Sequence, residues 1–131
     1  MRAILTSFMA LTLLLGSCRG TSEPIVVTAE DLHASNDKLT EVMVHDIFSP
    51  PVASRVYAYP NIAAYEIMAL HNEAYRSLEG QVAELEGIPQ PPEGRPLNYR
   101  LAALIAHMDL GRRLIFSEDR ISEFRDSLYG V

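Results

Sequence analysis

Residues 48–70 read FSPPVASRVYAYPNIAAYEIMAL, and they decide the fold. Val52, Val56, Tyr59, Ala63, Ile67 and Leu70 follow one another at steps of 4, 3, 4, 4 and 3. That spacing draws one apolar stripe along an α-helix, whereas a half-buried strand repeats every second residue. Ser49-Pro50-Pro51 marks its start, because proline disfavours α geometry in the residue before it and suits a first helical turn. Pro60 lies inside the stripe without an N–H to donate, so a kink is expected there. Ala58, Ala63 and Ala64 are expected to let a neighbouring helix approach closely.

Working outward, Val27-Thr28-Ala29-Glu30-Asp31-Leu32 has the marks of an earlier helix start. Thr28 is a capping residue, Glu30 and Asp31 sit in the positive first turn, and Val27 is placed to staple onto Leu32. Leu32, Leu39, Met43 and Ile47 then share one face, with Val42 beside them. Residues 79–96 (EGQVAELEGIPQPPEGRP) hold three Gly and four Pro and predict a surface loop, with a helical turn at residues 81–86. Leu97, Leu101, Leu104, Ile105 and Met108 form a third helical pattern that Pro96 opens, with Gly111 in or near its end. Ser117-Glu118-Asp119 is a second capping signature, with Phe116 placed to staple onto Ile121. Ile121, Phe124 and Leu128 continue a fourth helix. No strand pattern of comparable length occurs, and neither does an internal repeat. The fold class expected is all-α, a helical bundle.

The whole chain has 131 residues, 48% apolar and 21% charged, with net charge −6. That amounts to one small domain, too apolar to be disordered throughout. The acidic balance disfavours nucleic acid as a partner. A single Cys excludes a disulfide framework and a Cys-rich zinc module. The N-terminus carries a targeting pattern. Arg2 is followed by an uncharged run, Ala3 to Leu15, that is too short to span a membrane and has the length of a signal-peptide core. Leu15-Gly16-Ser17-Cys18 then resembles a bacterial lipobox, in which the Cys is acylated and becomes the mature N-terminus. The organisation expected is a lipoprotein signal peptide at residues 1–17, a tether at 18–27 and helices at 28–131. Acyl chains on Cys18 would make the membrane a partner and place the protein, exported, at a bacterial cell envelope. They would also consume the only thiol.

Catalytic motifs are scarce. His33, His45, His71 and His107 form neither H-E-x-x-H nor H-x-x-x-H, and each is expected at the surface or a boundary. Glu41 and His45 are four apart, but a metal site needs at least one more ligand. No nucleophile elbow, P-loop or Gly-rich dinucleotide turn occurs. Tyr57, Tyr59, Tyr65 and Tyr75 are assigned to helix packing. Two carboxylates fall near apolar stripes, Asp46 and Glu66, and a buried acid requires partners. Asp46 is expected to accept from backbone N–H groups where Ser49-Pro50-Pro51 opens the second helix. Glu66 is expected to pair with Arg55, Arg100 or Arg112.

Two strings add a resemblance. His45-Asp46-Ile47-Phe48-Ser49-Pro50-Pro51 and Tyr59-Pro60-Asn61-Ile62-Ala63-Ala64-Tyr65-Glu66, with Leu114-Ile115-Phe116-Ser117-Glu118-Asp119 later, resemble the N-terminal region of bacterial lipoproteins related to vanadium-dependent haloperoxidases. These fall within the type-2 phosphatidic acid phosphatase superfamily. The resemblance spans most of residues 33–128. It implies a helical bundle and, in the parent enzyme, an oxyanion pocket for vanadate or phosphate, built from a Lys, two Arg, a Ser, a Gly N–H and two His. Halide oxidation by peroxide or phosphomonoester hydrolysis follows from such a pocket. Its motifs are a Lys followed seven positions later by Arg-Pro, then Pro-Ser-Gly-His, then Ser-Arg with a later His. None occurs here: the only Lys, Lys38, has His45 seven positions on, and Arg95-Pro96 has Ile88 seven before it. No catalytic, cofactor-binding or metal residue is therefore carried over to this chain. The expectation is an N-terminal fragment of such an enzyme, inactive alone, whose partners are the missing C-terminal helices. The alternative is a complete small helical lipoprotein serving as a non-enzymatic envelope module.

Overall fold

The computed structural model describes residues 25–129. The expected signal peptide, Cys18 and most of the tether lie outside the described residues. Four helices follow: α1 Ala29–His45, α2 Pro50–His71, α3 Tyr99–Arg113 and α4 Glu118–Tyr129. No strand occurs among the described residues, so the all-α expectation holds.

The helix ends follow from local chemistry. The Asp31 carboxylate accepts from the Thr28 N–H at 2.7 Å and from its hydroxyl at 3.1 Å, fixing the start of α1. Pro50 and Pro51 occupy the first turn of α2. This helix runs through Pro60 without a break, and Pro60 itself is buried. Asn98 caps α3 by accepting from the Leu101 N–H at 3.1 Å, so α3 begins after Leu97, which is 40% exposed and outside the helix. The segment between α2 and α3 is irregular. Residues 81–86 form hydrogen-bonded turns and not the expected helical turn.

Helix α3 packs against all three others, and its pairing with α2 is the most extensive. The core lies where α1, α3 and α4 meet: Leu39, Val42, Met43, Leu104, Met108, Ile115 and Ile121 are all nearly inaccessible, and Val56 of α2 joins them. Gly111 lets α1 come close, since a Cβ there would sit 3.3 Å from Leu39 Cδ1.

Three stripe assignments need correction. On α2 the buried line is Val56, Pro60 and Ala64, whereas Val52 and Tyr59 are 43% and 46% exposed. The predicted Tyr59/Ala63/Ile67/Leu70 stripe faces away from the core. Ile47 does not continue the α1 stripe. It is 88% exposed and holds φ at 56°, a left-handed conformation beyond the helix end. There Phe48 N–H donates to Met43 C=O and Ile47 N–H to Val44 C=O, which is the Schellman pairing normally completed by glycine. Phe116 does not staple onto Ile121 either. It is 81% exposed and meets Phe48 edge to face, ring centroids 5.1 Å apart.

Candidate functional site

Three polar assemblies join the helices, and each is built from residues far apart in sequence. Asp46, at the end of α1, accepts from Phe116 N–H at 2.9 Å, Ser117 N–H at 3.0 Å and the Ser117 hydroxyl at 2.6 Å. Burial pushes this carboxyl up, but the Ser117 hydroxyl and the two backbone donors outweigh it and hold it below the usual carboxylate range. The expected cap at Ser49 is therefore replaced by a cap on the segment that opens α4. The sequence places Asp46 nearer Ser49, but the Schellman turn at Ile47 swings the chain away.

Glu66 is 3% exposed, as the stripe geometry required, yet no arginine pairs with it. Its Oε2 accepts from the Ser77 hydroxyl at 2.6 Å and its Oε1 from Leu78 N–H at 2.7 Å. Arg112 is engaged instead with Glu118 at 3.1 Å, and Arg100 points toward the Val27 carbonyl at 3.5 Å. Two short donors on a loop satisfy the carboxylate, so Glu66 anchors the loop that leaves α2.

His107 corrects its own assignment. It is 1% exposed, and Ser35 beside it is 2% exposed. Its Nδ1 lies 2.9 Å from the Ser35 hydroxyl and its Nε2 3.2 Å from Asn36 Oδ1. The Asn36 oxygen also accepts from Asn61 Nδ2 at 2.8 Å. Every group is satisfied when Nε2 carries the ring proton and Nδ1 accepts from Ser35. Burial lowers the His107 pKa from 6.5 to about 4, and no charged neighbour opposes it. A serine beside a histidine can be a nucleophile and its base. Here both are sealed, the imidazole is a weak base, and neither lines the cavities described next. The assembly is a lock between α1, α2 and α3. Its signal in the sequence was polar residues at core positions of two helical patterns: Ser35 one turn before Leu39, and His107 between Leu104 and Met108.

Two cavities accompany these assemblies. One, about 500 Å³, lies among Leu32, Asn61, Ala64, Tyr65, Met68 and Leu104. The other, about 640 Å³, is a groove on the opposite side of the α2–α3 pair. Its floor carries Ile62, Ala63, Ile67, Ala102, Ala106 and Leu110, and its wall is the loop through Val82, Leu85 and Ile88. Glu79 braces that loop by accepting from Gly87 N–H at 2.6 Å, where Gly87 holds φ at +72°. His71 stacks on Tyr99 at 4.5 Å and closes the end where α2 and α3 meet.

No three His, Cys, Asp or Glu among the described residues are placed to hold a metal ion. A multiply charged oxyanion requires several fixed cations and N–H donors aimed at one point. Four cations are tied to carboxylates: Lys38 and Arg120 both to Glu41, at 3.0 and 3.5 Å, Arg125 to Asp126 at 2.8 Å, and Arg112 to Glu118 as above. Those four, each held by a carboxylate, do not make up such a donor set. The other three histidines, His33, His45 and His71, are exposed and dispersed.

Comparison with known proteins supplies the context. No family model and no curated protein matches the chain. Among solved structures, it is similar to one described as the first bacterial vanadium-dependent iodoperoxidase, with 60% sequence identity and a TM-score of 0.80. The match covers 83% of this chain and 27% of that one, so the chain spans about a quarter of the length of that solved structure. The likeness supports a haloperoxidase-like relationship and an all-α fold.

Proposed function

We propose that this chain is the N-terminal helical part of a lipid-anchored, vanadium-dependent haloperoxidase-like enzyme, and that it supplies scaffold and no catalytic group. The observation that carries this reading is the 60% identity with a vanadium-dependent iodoperoxidase over 83% of the chain. Sealed polar locks and an open apolar groove agree with a scaffold role. Vanadate, in this reading, is held by polypeptide outside these residues, and the reaction class is halide oxidation by peroxide or the related phosphomonoester hydrolysis. Acylation of Cys18 places the protein at the envelope of a bacterium, with the membrane as partner.

Two experiments test it. Genomic DNA read past codon 131 is expected to continue in frame and to encode Pro-Ser-Gly-His; an immediate stop codon would overturn the enzyme reading in favour of a small envelope module. Labelled palmitate is expected to enter the expressed protein and to be lost in Cys18→Ser; equal labelling of the two would remove the anchor.

A further inference from the structure

We infer that the 500 Å³ cavity between α1, α2 and α3 is a binding site for a small aromatic monocarboxylate, its ring inside and its carboxylate on Arg100 at the mouth. This goes beyond the scaffold reading and does not depend on it. Size comes first. A volume of 500 Å³ holds little more than one turn of a helix about 10 Å across, so the occupant is a small molecule and not a further helix. The interior is apolar: Ala64 and Met68 of α2 face Leu104 of α3, and Tyr65 and Tyr75 meet edge to face beside them, ring centroids 6.2 Å apart. Such walls suit a flat apolar body. The polar groups of the wall are mostly spent. Tyr65 donates its hydroxyl to the Arg76 carbonyl at 2.9 Å, Thr28 donates its own to Asp31 at 3.1 Å, and the Asn61 amide donates to Asn36 Oδ1 and the Tyr57 carbonyl. Arg100 differs. It is exposed, it is the only charged residue lining the cavity, and no Asp or Glu lines it. Among the described residues it joins no ion pair, and its one hydrogen bond is a long contact of 3.5 Å to the Val27 carbonyl. A guanidinium with free N–H groups matches the planar fork of a carboxylate. One cation selects a single negative charge, since a phosphate would need further fixed donors.

Titration calorimetry of the 131-residue chain tests the site with two probes, 2-naphthoate and the uncharged 2-naphthamide of the same shape. The acid is expected to bind saturably with Kd of about 1 mM or tighter, and the amide about tenfold more weakly. Arg100→Gln is expected to weaken the acid about tenfold and to leave the amide unchanged. Arg113→Gln, at an exposed arginine outside the cavity, removes the same net charge and is expected to change neither. No saturable binding of the acid, equal affinity for acid and amide, or equal affinity in Arg100→Gln would overturn the site. So would an equal loss in Arg113→Gln, since attraction by net charge would then explain the binding. If circular dichroism shows Arg100→Gln unfolded, Tyr75→Ala, at a wall position 51% exposed, takes its place. It is expected to weaken acid and amide alike, and unchanged affinity for both would overturn the site.

Discussion

The two sides of the α2–α3 pair are made of similar residues and differ in what covers them. On one side Leu104 and Met108 meet Leu39, Val42 and Met43 of α1 and Ile121 of α4, at exposures of 3% or less. On the other, Ile62, Ile67 and Leu110 look across a groove at an irregular loop. Both sides carry apolar residues at helical spacing in the sequence. The difference teaches that an amphipathic stripe reports a face that needs covering, without saying what covers it.

That contrast can be broken most forcefully at its closed side. Leu39→Ala removes a side chain that is 1% exposed and that rests on Gly111. It is expected to cost about 3–4 kcal/mol in urea unfolding, whereas Ile67→Ala in the groove costs less than about 1 kcal/mol. Equal losses would mean that the groove is as well packed as the core. The next largest effect comes from acid. The fold holds His107 neutral to a pKa of about 4, so between pH 6.5 and 4 the unfolded chain binds the proton and the folded chain does not. Stability contributed by this group is full above pH 6.5 and falls by up to about 3 kcal/mol as pH drops to 4. Unfolding free energies measured across that range are expected to decline, and His107→Gln to flatten the decline; an unchanged slope in the variant would remove His107 from the account.

Smaller effects sharpen the picture at the turn where α1 ends. Asp46→Asn leaves one acceptor for three donors and is expected to destabilise by about 1–2 kcal/mol, seen as a lower urea midpoint. Unchanged thermal stability would reject the cap on Phe116 and Ser117. Ile47→Gly relieves a branched side chain held at positive φ and should raise stability by about 1 kcal/mol. A loss there would show that the exposed Ile47 makes contacts its 88% exposure hides.

The sequence disclosed the helices more readily than their surroundings. Periodicity, the Pro50-Pro51 start and the Thr28–Asp31 cap are local signals, and they placed α1 and α2 to within a residue or two. What periodicity lacks is the direction of the neighbour. It placed Ile47 on the α1 stripe because it has no term for a left-handed residue after His45. It gave Glu66 an arginine because buried acids need donors, and the donors came from Ser77 and Leu78, whose approach depends on how the loop folds. His107 is expected at the surface or a boundary because a lone histidine carries no spacing, although it stands between Leu104 and Met108 and Ser35 stands one turn before Leu39. The family's oxyanion motifs are missing from the sequence as it stands, and among the described residues Lys38 and Arg120 share Glu41 while Arg112 and Arg125 pair with Glu118 and Asp126.

In the scaffold role proposed above, these residues hold up a catalytic pocket without forming it. Equilibrium dialysis of the purified 131-residue chain against vanadate, followed by an iodide and peroxide assay, tests it most directly. No saturable binding and no iodide oxidation are the predicted results. One vanadate bound per chain, with iodide turnover that follows occupancy, would contradict the claim.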